Sequence, residues 1–422
     1  MRNIIVEKET IDTDTIHRQF PILKQKINSY PLVYLDNASS CQKPQAVIDA
    51  ITKCYSEYYA NAHRGVHTLS QRATTALEQV REQVCLFLNA RSANEIIFTR
   101  GTTEAINLVA ESWGKTYLHA GDEILISALE HHSNIVPWQQ LCRQTGAQIK
   151  ILPIDRKGIL QIDFLEQLLS HRTRILALSH VSNVLGTINP LMTVIQTVRA
   201  YDRKYRDKKA RTIILIDGAQ AVSHLAINVQ ELDSDFYVFS GHKLYGPSGI
   251  GVLYGRGNIL QDMPPWQYGG GMVADVSFDQ STFIDPPRRF EAGTANIAGI
   301  IGLGAAINWL LGLGIEPIAK HEQRLLDYVT QQLSLLPYIQ IFGQSPSKTA
   351  VIAFIVEGIP ARTIGLALDK VGIAVQVSRH CAQPLMTFLG VQETIRISFA
   401  VYNTLEEIDL FISALNRIVR QY

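Results

Sequence analysis

Thr212-Ile-Ile-Leu-Ile216, running straight into Asp217-Gly-Ala-Gln220, decides how the rest of the chain is read. A short, near-continuous apolar run is the mark of a strand buried on both faces. An acid at its C-terminal end points into the crevice where open parallel sheets bind ligands. The same kind of run recurs on either side. Before it come Glu95-Ile-Ile-Phe-Thr99, Glu123-Ile-Leu-Ile-Ser127, Gln148-Ile-Lys-Ile-Leu152 and Arg174-Ile-Leu-Ala-Leu178; after it come Phe236-Tyr-Val-Phe239 and Ile250-Gly-Val-Leu-Tyr254. Helical patterns lie between them, as from Thr103 to about Trp113 and from Ile135 to Gln144. The alternation predicts an α/β fold with a mainly parallel sheet. Past about residue 300 the pattern changes. A long helical region, Ala298 to Leu333, precedes apolar runs at Val351–Val356, Ile373–Val377 and Thr394–Ser398, with a helix from Ala361 to Val371. A last helix, Thr404 to Arg420, opens on the capping-box pattern Thr404-Leu-Glu-Glu407. The expected organisation is a large domain over residues 31–300 and a smaller α+β domain over 301–422, with residues 1–30 packed on the smaller one.

Composition narrows the function classes. The 422 residues carry 39 Lys and Arg against 38 Asp and Glu, a net charge of +1. That balance argues against a general nucleic-acid binder and against a protein held to membranes by charge. The 46% hydrophobic and 18% charged content is that of a globular chain. The five cysteines (Cys41, Cys54, Cys85, Cys142 and Cys381) are widely spaced and form no CxxC, which disfavours a disulfide scaffold or a zinc ribbon. No metal site is expected. The N-terminus lacks the apolar core of a signal peptide, so a cytoplasmic or other reducing compartment is expected. Asn296 to Ile315 is uncharged and long enough to span a bilayer. Its five glycines and two asparagines point instead to a helix buried in a large core. Arg199 to Arg211 holds seven basic residues together with Asp202 and Asp207, and reads as the solvated end of a helix.

Four segments carry chemistry. In Phe239-Ser-Gly-His-Lys243-Leu-Tyr-Gly-Pro a lysine follows a buried strand within a glycine-rich turn. Desolvation there would free its amine as a nucleophile toward carbonyls, although most lysines beside glycines are surface residues. Asp217 could pair with a protonated pyridine nitrogen, or simply cap a helix after it. Arg100-Gly-Thr-Thr-Glu104 places backbone N–H groups and two hydroxyls at a helix start, an anion cradle or plain capping. Glu130-His131-His132-Ser-Asn134 offers a histidine to lie over a flat ring or move protons; metal ligation is the other reading, but no carboxylate–histidine spacing completes it. An anion cradle, an acid for a pyridine nitrogen, a ring to stack and a carbonyl-reactive lysine together describe pyridoxal phosphate.

The chain resembles the class V aminotransferase superfamily of fold-type I, and within it the group II (SufS-type) cysteine desulfurases. The resemblance rests on Tyr34-Leu-Asp-Asn-Ala38, Asn61-Ala-His-Arg-Gly-Val-His67, RGTTE, EHHSN, Ser179-His-Val-Ser-Asn183-Val-Leu-Gly186, DGAQ, FSGHKLYGP, Arg289-Phe-Glu-Ala-Gly-Thr294 and Arg379-His-Cys381-Ala, in family order from about residue 20 to the C-terminus. It implies a large domain with a seven-stranded sheet and a smaller α+β domain. It implies that Lys243 bonds the cofactor and later shuttles protons, that Asp217 pairs with its ring nitrogen, that Gln220 contacts its ring hydroxyl and that His131 stacks on it. Thr103, Ser240 and His242 would hold the phosphate with Thr102 nearby, joined by Thr294 from the other subunit of a homodimer. Asn183 and Arg396 would hold the substrate carboxylate, and His63 and Arg64 would line the site. Cys381 would be the thiolate that takes sulfur from L-cysteine, leaving alanine and an enzyme persulfide; Arg379 and His380 before it would supply positive charge. Cys85 and Cys142 read as small buried apolar residues, and Cys41 and Cys54 as structural too.

The implied partners are a SufE-type sulfur acceptor and the Suf scaffold proteins of iron–sulfur cluster assembly, and selenocysteine is an implied further substrate. This chain departs from the usual family pattern Arg-x-Gly-His-His-Cys. It has Gln376 at the arginine, Ser378 at the glycine and Arg379 at the first histidine, which bears on loop flexibility and persulfide transfer. A cystine C–S lyase, a dedicated selenocysteine lyase and a sulfur-transfer scaffold with a vestigial site are the alternatives.

Overall fold

The structure is a computed structural model and describes residues 11–206 and 211–422. The first ten residues of the N-terminal segment and residues 207–210 of the basic run lie outside the described residues. All seven apolar runs are strands of one sheet: β1 Ile96–Thr99, β2 Glu123–Ser127, β3 Gln148–Leu152, β4 Thr173–Ser179, β5 Ile213–Asp217, β6 Phe236–Ser240 and β7 Gly251–Gly255. Their spatial order is β1-β7-β6-β5-β4-β2-β3. From β6 to β3 every neighbouring pair is parallel, and β7 runs antiparallel to both β6 and β1. Alternation along β5 fills two apolar layers. Ile214 and Ile216 pack on one face and Ile213 and Leu215 on the other. Register does the positioning. Asp217 lies beside Ser179 of β4 and Val238 of β6, so the strand ends form one edge.

The uncharged segment folds as α6 in chain order. The helices before it that matter here are α1 Gln45–Lys53, α2 Thr68–Leu88, α3 Thr102–Val109, α4 Val136–Thr145 and α5 Leu191–Tyr205. Helix α6, Ile297–Leu313, is buried through Ile300, Leu303, Ile307 and Leu310 and packs on α1 and α2. The single helical region expected from Ala298 to Leu333 is two helices. Gly314, at φ 87°, takes a left-handed conformation open to glycine, and the chain bends by 77° into α7, Ile315–Ser334. Among the described residues no single helix is long and apolar enough to cross a membrane.

The basic run is only in part the solvated helix end its composition suggested: Arg203 and Lys204 are exposed, but Arg199 and Arg206 are not. Arg199, on α5, is buried and donates to Asp233 at 2.9 Å, to Asp235 at 2.8 Å and to the Thr212 carbonyl at 2.6 Å. Arg206 reaches the Ser170 carbonyl at 2.6 Å. Arg199 is matched by acids from the β5–β6 connection that local sequence does not place beside it, and Arg206 by Asp202 on its own helix.

The second sheet contains β8 Ile339–Phe342, β9 Val351–Val356, β10 Gln376–Ser378 and β11 Thr394–Ser398, in the antiparallel order β8-β9-β11-β10. Strand β8 is half exposed and gives no continuous apolar run. The run Ile373–Val377 divides: Ile373–Ala374 pairs in parallel with Val33–Tyr34, and Gln376–Ser378 pairs with β11. Helices α7, α8 (Ala361–Asp369) and α10 (Leu405–Val419) cover this sheet through Leu325, Ile364, Phe411 and Leu415; α9, Gln383–Leu389, follows the cysteine loop. The capping box holds: Glu407 N–H donates to Thr404 Oγ1 at 3.2 Å, and Thr404 N–H donates to the Glu407 carboxylate at 3.1 Å. From the N-terminal segment Phe20 stacks near Tyr402, Trp309 and Tyr245, with ring centroids 4.5, 5.3 and 6.2 Å away.

Candidate active site

A cavity of about 340 Å³ opens at the C-terminal edge of β4, β5 and β6. It brings together Thr102, Thr103, His131, Asn183, Asp217, Gln220, Ser240, His242, Lys243, Cys381 and Arg396. Asp217 ends β5 and Lys243 follows β6, so adjacent parallel strands deliver an acid and an amine to one crevice. Asp217 is buried, and its Oδ1 accepts the Ala219 N–H at 2.9 Å. Burial raises its pKa, a rise that this hydrogen bond and Lys243 partly offset. Lys243 is shifted the other way. Desolvation lowers its pKa against the pull of Asp217, and Arg396 adds to the lowering.

At the other end of the crevice α3 starts on Thr102. Its N–H donates to Ser240 Oγ at 2.8 Å, and the two hydroxyls are also 2.8 Å apart. His242 lies beside them, its pKa brought down to about 4 by burial and then by Lys243. Over the middle sits His131. Burial, then Lys243, brings its pKa down to about 3, so it presents a neutral ring. Its Nδ1 accepts the Ser133 N–H at 3.1 Å. The Gln220 amide donates to the Ala38 carbonyl at 2.6 Å.

Arg396, on β11, is 2% exposed. Nη1 donates to the Asn183 carbonyl at 2.9 Å; Nη2 donates to Asp36 Oδ1 at 3.1 Å and to Ser39 Oγ at 2.6 Å. Its Nε is buried without a partner among the described residues. The Asn183 amide itself donates to the His380 carbonyl at 2.8 Å, so that side chain faces the cysteine loop as well as the cavity.

Of the five cysteines only Cys381 is exposed. Burial raises the pKa of the other four, to about 12 at Cys41 and about 11 at Cys142, and holds them as thiols. One expectation fails here. His380 supplies no positive charge to Cys381, because it is buried, its pKa falls to about 3, and its Nε2 is hydrogen-bonded to Thr394 Oγ1 at 2.8 Å. Ser378, which stands where the family has glycine, accepts the His380 N–H on its Oγ at 2.9 Å.

Three expected residues lie elsewhere. His63, Arg64 and Thr294 line a separate cavity of about 110 Å³ with Arg288 and Glu291. Asp36 and Ser39 hold Arg396 and had no assigned role; the available signal was an acid in the quoted Tyr34–Ala38 motif. Glu130, directly before the histidine pair in the sequence, is buried and adds an acceptor beside the site. Its oxygens accept from Ser127 Oγ at 2.5 Å, Ser179 N–H at 3.1 Å and Asn134 Nδ2 at 2.7 Å.

The arrangement suits pyridoxal phosphate. A buried carboxylate faces where a pyridine nitrogen would lie, a desolvated amine can meet an aldehyde, and hydroxyls at a helix N-terminus suit a phosphate. Arg396 lines the same cavity, and its buried Nε is a donor without a partner among the described residues.

A profile of the aminotransferase class-V family matches residues 33–411. A cysteine desulfurase of Salmonella agona is 50% identical over 412 residues, covering 97% of this chain and 99% of that one. A cysteine desulfurase of Synechococcus elongatus is 49% identical over 407 residues, 96% of this chain; the chain spans 64% of that relative's length. Among solved structures, a cysteine desulfurase from Escherichia coli superposes with a TM-score of 0.89 at 39% identity, covering 98% of this chain and 99% of that one. A cysteine desulfurase from Thermococcus onnurineus superposes with a TM-score of 0.88 at 36% identity, covering 96% and 99%.

Proposed function

The chain belongs to the class-V aminotransferase family, and from that premise we propose that it is a pyridoxal-phosphate-dependent cysteine desulfurase. The observation that carries the reading is the exposed thiol of Cys381 at the mouth of a cavity floored by Lys243 and Asp217. When bound, the cofactor supplies an electron sink for charge released at the substrate's α-carbon. The residues do the rest. Lys243 offers an amine whose charged form burial disfavours, and which can bond the cofactor and carry a proton on Nζ. Asp217 balances a protonated ring nitrogen. His131 lies over the ring face and Gln220 at its edge. Thr102, Thr103, Ser240 and His242 bind phosphate oxygens. Arg396 grips the substrate carboxylate, with Asn183 beside it. Cys381 Sγ attacks the substrate sulfur: an S–S bond forms, the C–S bond breaks, and L-cysteine plus enzyme thiol becomes L-alanine plus enzyme persulfide.

The finer assignments come from family resemblance. Residues 31–300 form the cofactor domain and 301–422 the smaller one. The enzyme acts in the cytoplasm as a homodimer in which Thr294 joins the phosphate site of the other subunit, and His63 and Arg64 belong to a loop that lines the site. It also takes L-selenocysteine, and it passes sulfur to a SufE-type acceptor and Suf scaffold proteins for iron–sulfur cluster assembly. Product analysis with cysteine and with selenocysteine, with and without such an acceptor, tests the reading. Alanine in stoichiometry with released sulfur is expected, and pyruvate with ammonia would indicate a C–S lyase instead. Cys381→Ala should keep the bound cofactor's absorbance and lose alanine formation, whereas Lys243→Ala should lose the normal absorbance.

A further inference from the structure

Cys381 stands on strained backbone. His380 and Cys381 both have φ of 51°, in the left-handed region that costs a residue with a Cβ roughly 1–2 kcal/mol. Such a turn persists only where its surroundings hold it. On the near side the His380 carbonyl is held by Asn183 and its N–H by Ser378. The Ala382 N–H closes the turn on the Arg379 carbonyl at 2.9 Å, and on the far side one residue adds two further contacts. The His132 N–H donates to the Cys381 carbonyl at 2.7 Å, and His132 Nε2 accepts the Gln383 N–H at 3.0 Å. Gln383 opens α9, so its N–H is one of the helix-start donors that have no partner within the helix.

His132 is itself anchored. It begins a single turn, His132–Asn134, whose last residue is buried between Glu130 and Trp138: Asn134 Nδ2 donates to Glu130 at 2.7 Å, and Trp138 Nε1 donates to Asn134 Oδ1 at 2.8 Å. The residue before it is His131, over the proposed cofactor ring. The Gln383 N–H pointing at Nε2 makes that nitrogen the acceptor, and burial, which lowers the His132 pKa, disfavours the ring's charged form.

We propose that His132 is a positioning residue that holds the Cys381 turn in register with the cofactor face, by gripping the chain at the end of the left-handed pair and just past it, at the Cys381 carbonyl and the Gln383 N–H. The proposal rests on the reading of Cys381 as the sulfur acceptor. His132 does not touch substrate; it acts through Cys381.

The test uses the full chain loaded with pyridoxal phosphate and four variants: His132→Ala, His132→Asn, His132→Gln and Cys381→Ala. A glutamine amide oxygen reaches about as far as Nε2 and can accept from Gln383; an asparagine oxygen stops short. His132→Ala and His132→Asn should lower kcat for alanine formation by about 10- to 100-fold, the scale of a small misplacement of a reacting group. KM for cysteine and the cofactor absorbance should stay as in the parent, and the rate of Cys381 alkylation by iodoacetamide, read on its peptide by mass spectrometry, should change. His132→Gln should restore kcat and the alkylation rate. Parent-like kcat in His132→Asn, or His132→Gln no better than His132→Asn, would overturn the proposal, and so would a loss of cofactor absorbance in both amide variants. Alanine formation retained by Cys381→Ala would instead overturn the reading beneath it.

Discussion

At the scale of the residue, Arg396 shows how a functional group is prepared. Asp36 and Ser39 hold one nitrogen and the Asn183 carbonyl another, so the guanidinium plane is set before any substrate arrives. Its Nε keeps an unused donor in a buried place. Lysine can keep the charge but not this fork. Arg396→Lys should therefore fold, bind cofactor with parent-like absorbance, and raise KM for cysteine by about ten- to a hundredfold, the equivalent of one charged hydrogen bond worth about 1.5–3 kcal/mol. Steady-state kinetics check this, and an unchanged KM would remove Arg396 from substrate binding.

At the scale of the element, the turn between β2 and α4 depends on Glu130. Every contact to its oxygens is donated to it, from Ser127, Ser179 and Asn134, and Asn134 cannot turn its amide round because its oxygen accepts from Trp138. The carboxylate is thus needed as an acceptor on both oxygens, although burial raises its pKa to about 7. A raised carboxyl pKa means that the folded state holds a proton the unfolded chain has lost. Stability from this group therefore falls as pH rises from about 4.5 through 7. Glu130→Gln removes the charge but sets an NH₂ against the Asn134 NH₂. It should lose about 1–3 kcal/mol at pH 8, where the parent is ionised. Denaturant unfolding measures it; a stabilised variant would mean that the charge, not the donor pattern, sets the balance.

At the scale of the whole molecule, a buried ion pair ties the chain beyond β5 to helix α7. His224 Nδ1 lies 2.6 Å from Glu322 Oε2, and both residues are buried. Burial opposes charge on His224, but the carboxylate outweighs it and the histidine pKa is raised. A raised histidine pKa gives stability that is complete below the ordinary value of 6.5 and is lost as pH rises through the folded pKa. Thermal unfolding of the parent should therefore weaken on the alkaline side of neutrality. Glu322→Gln should flatten that dependence and lower Tm most at pH 6. Parallel curves for the two proteins would show that the pair carries no such coupling.

What the sequence determined by itself was local in origin. Seven apolar runs became seven strands, six of them buried on both faces and the edge strand β3 only in part, and an acid, a lysine and a threonine pair past strand ends had to reach one edge of the sheet. The thiol that matters was legible by its neighbours in the chain, though not the reason: its buried histidine neighbour brings no charge. Tertiary structure alone decided the remainder. Arg199 found its acids across the β5–β6 connection, Arg396 was oriented from the other end of the chain by Asp36, and the strained turn at Cys381 was held by His132. Each of these is a hydrogen bond or ion pair between residues far apart in sequence. Periodicity reports which face of an element is buried; it carries no information on which polar partner waits there.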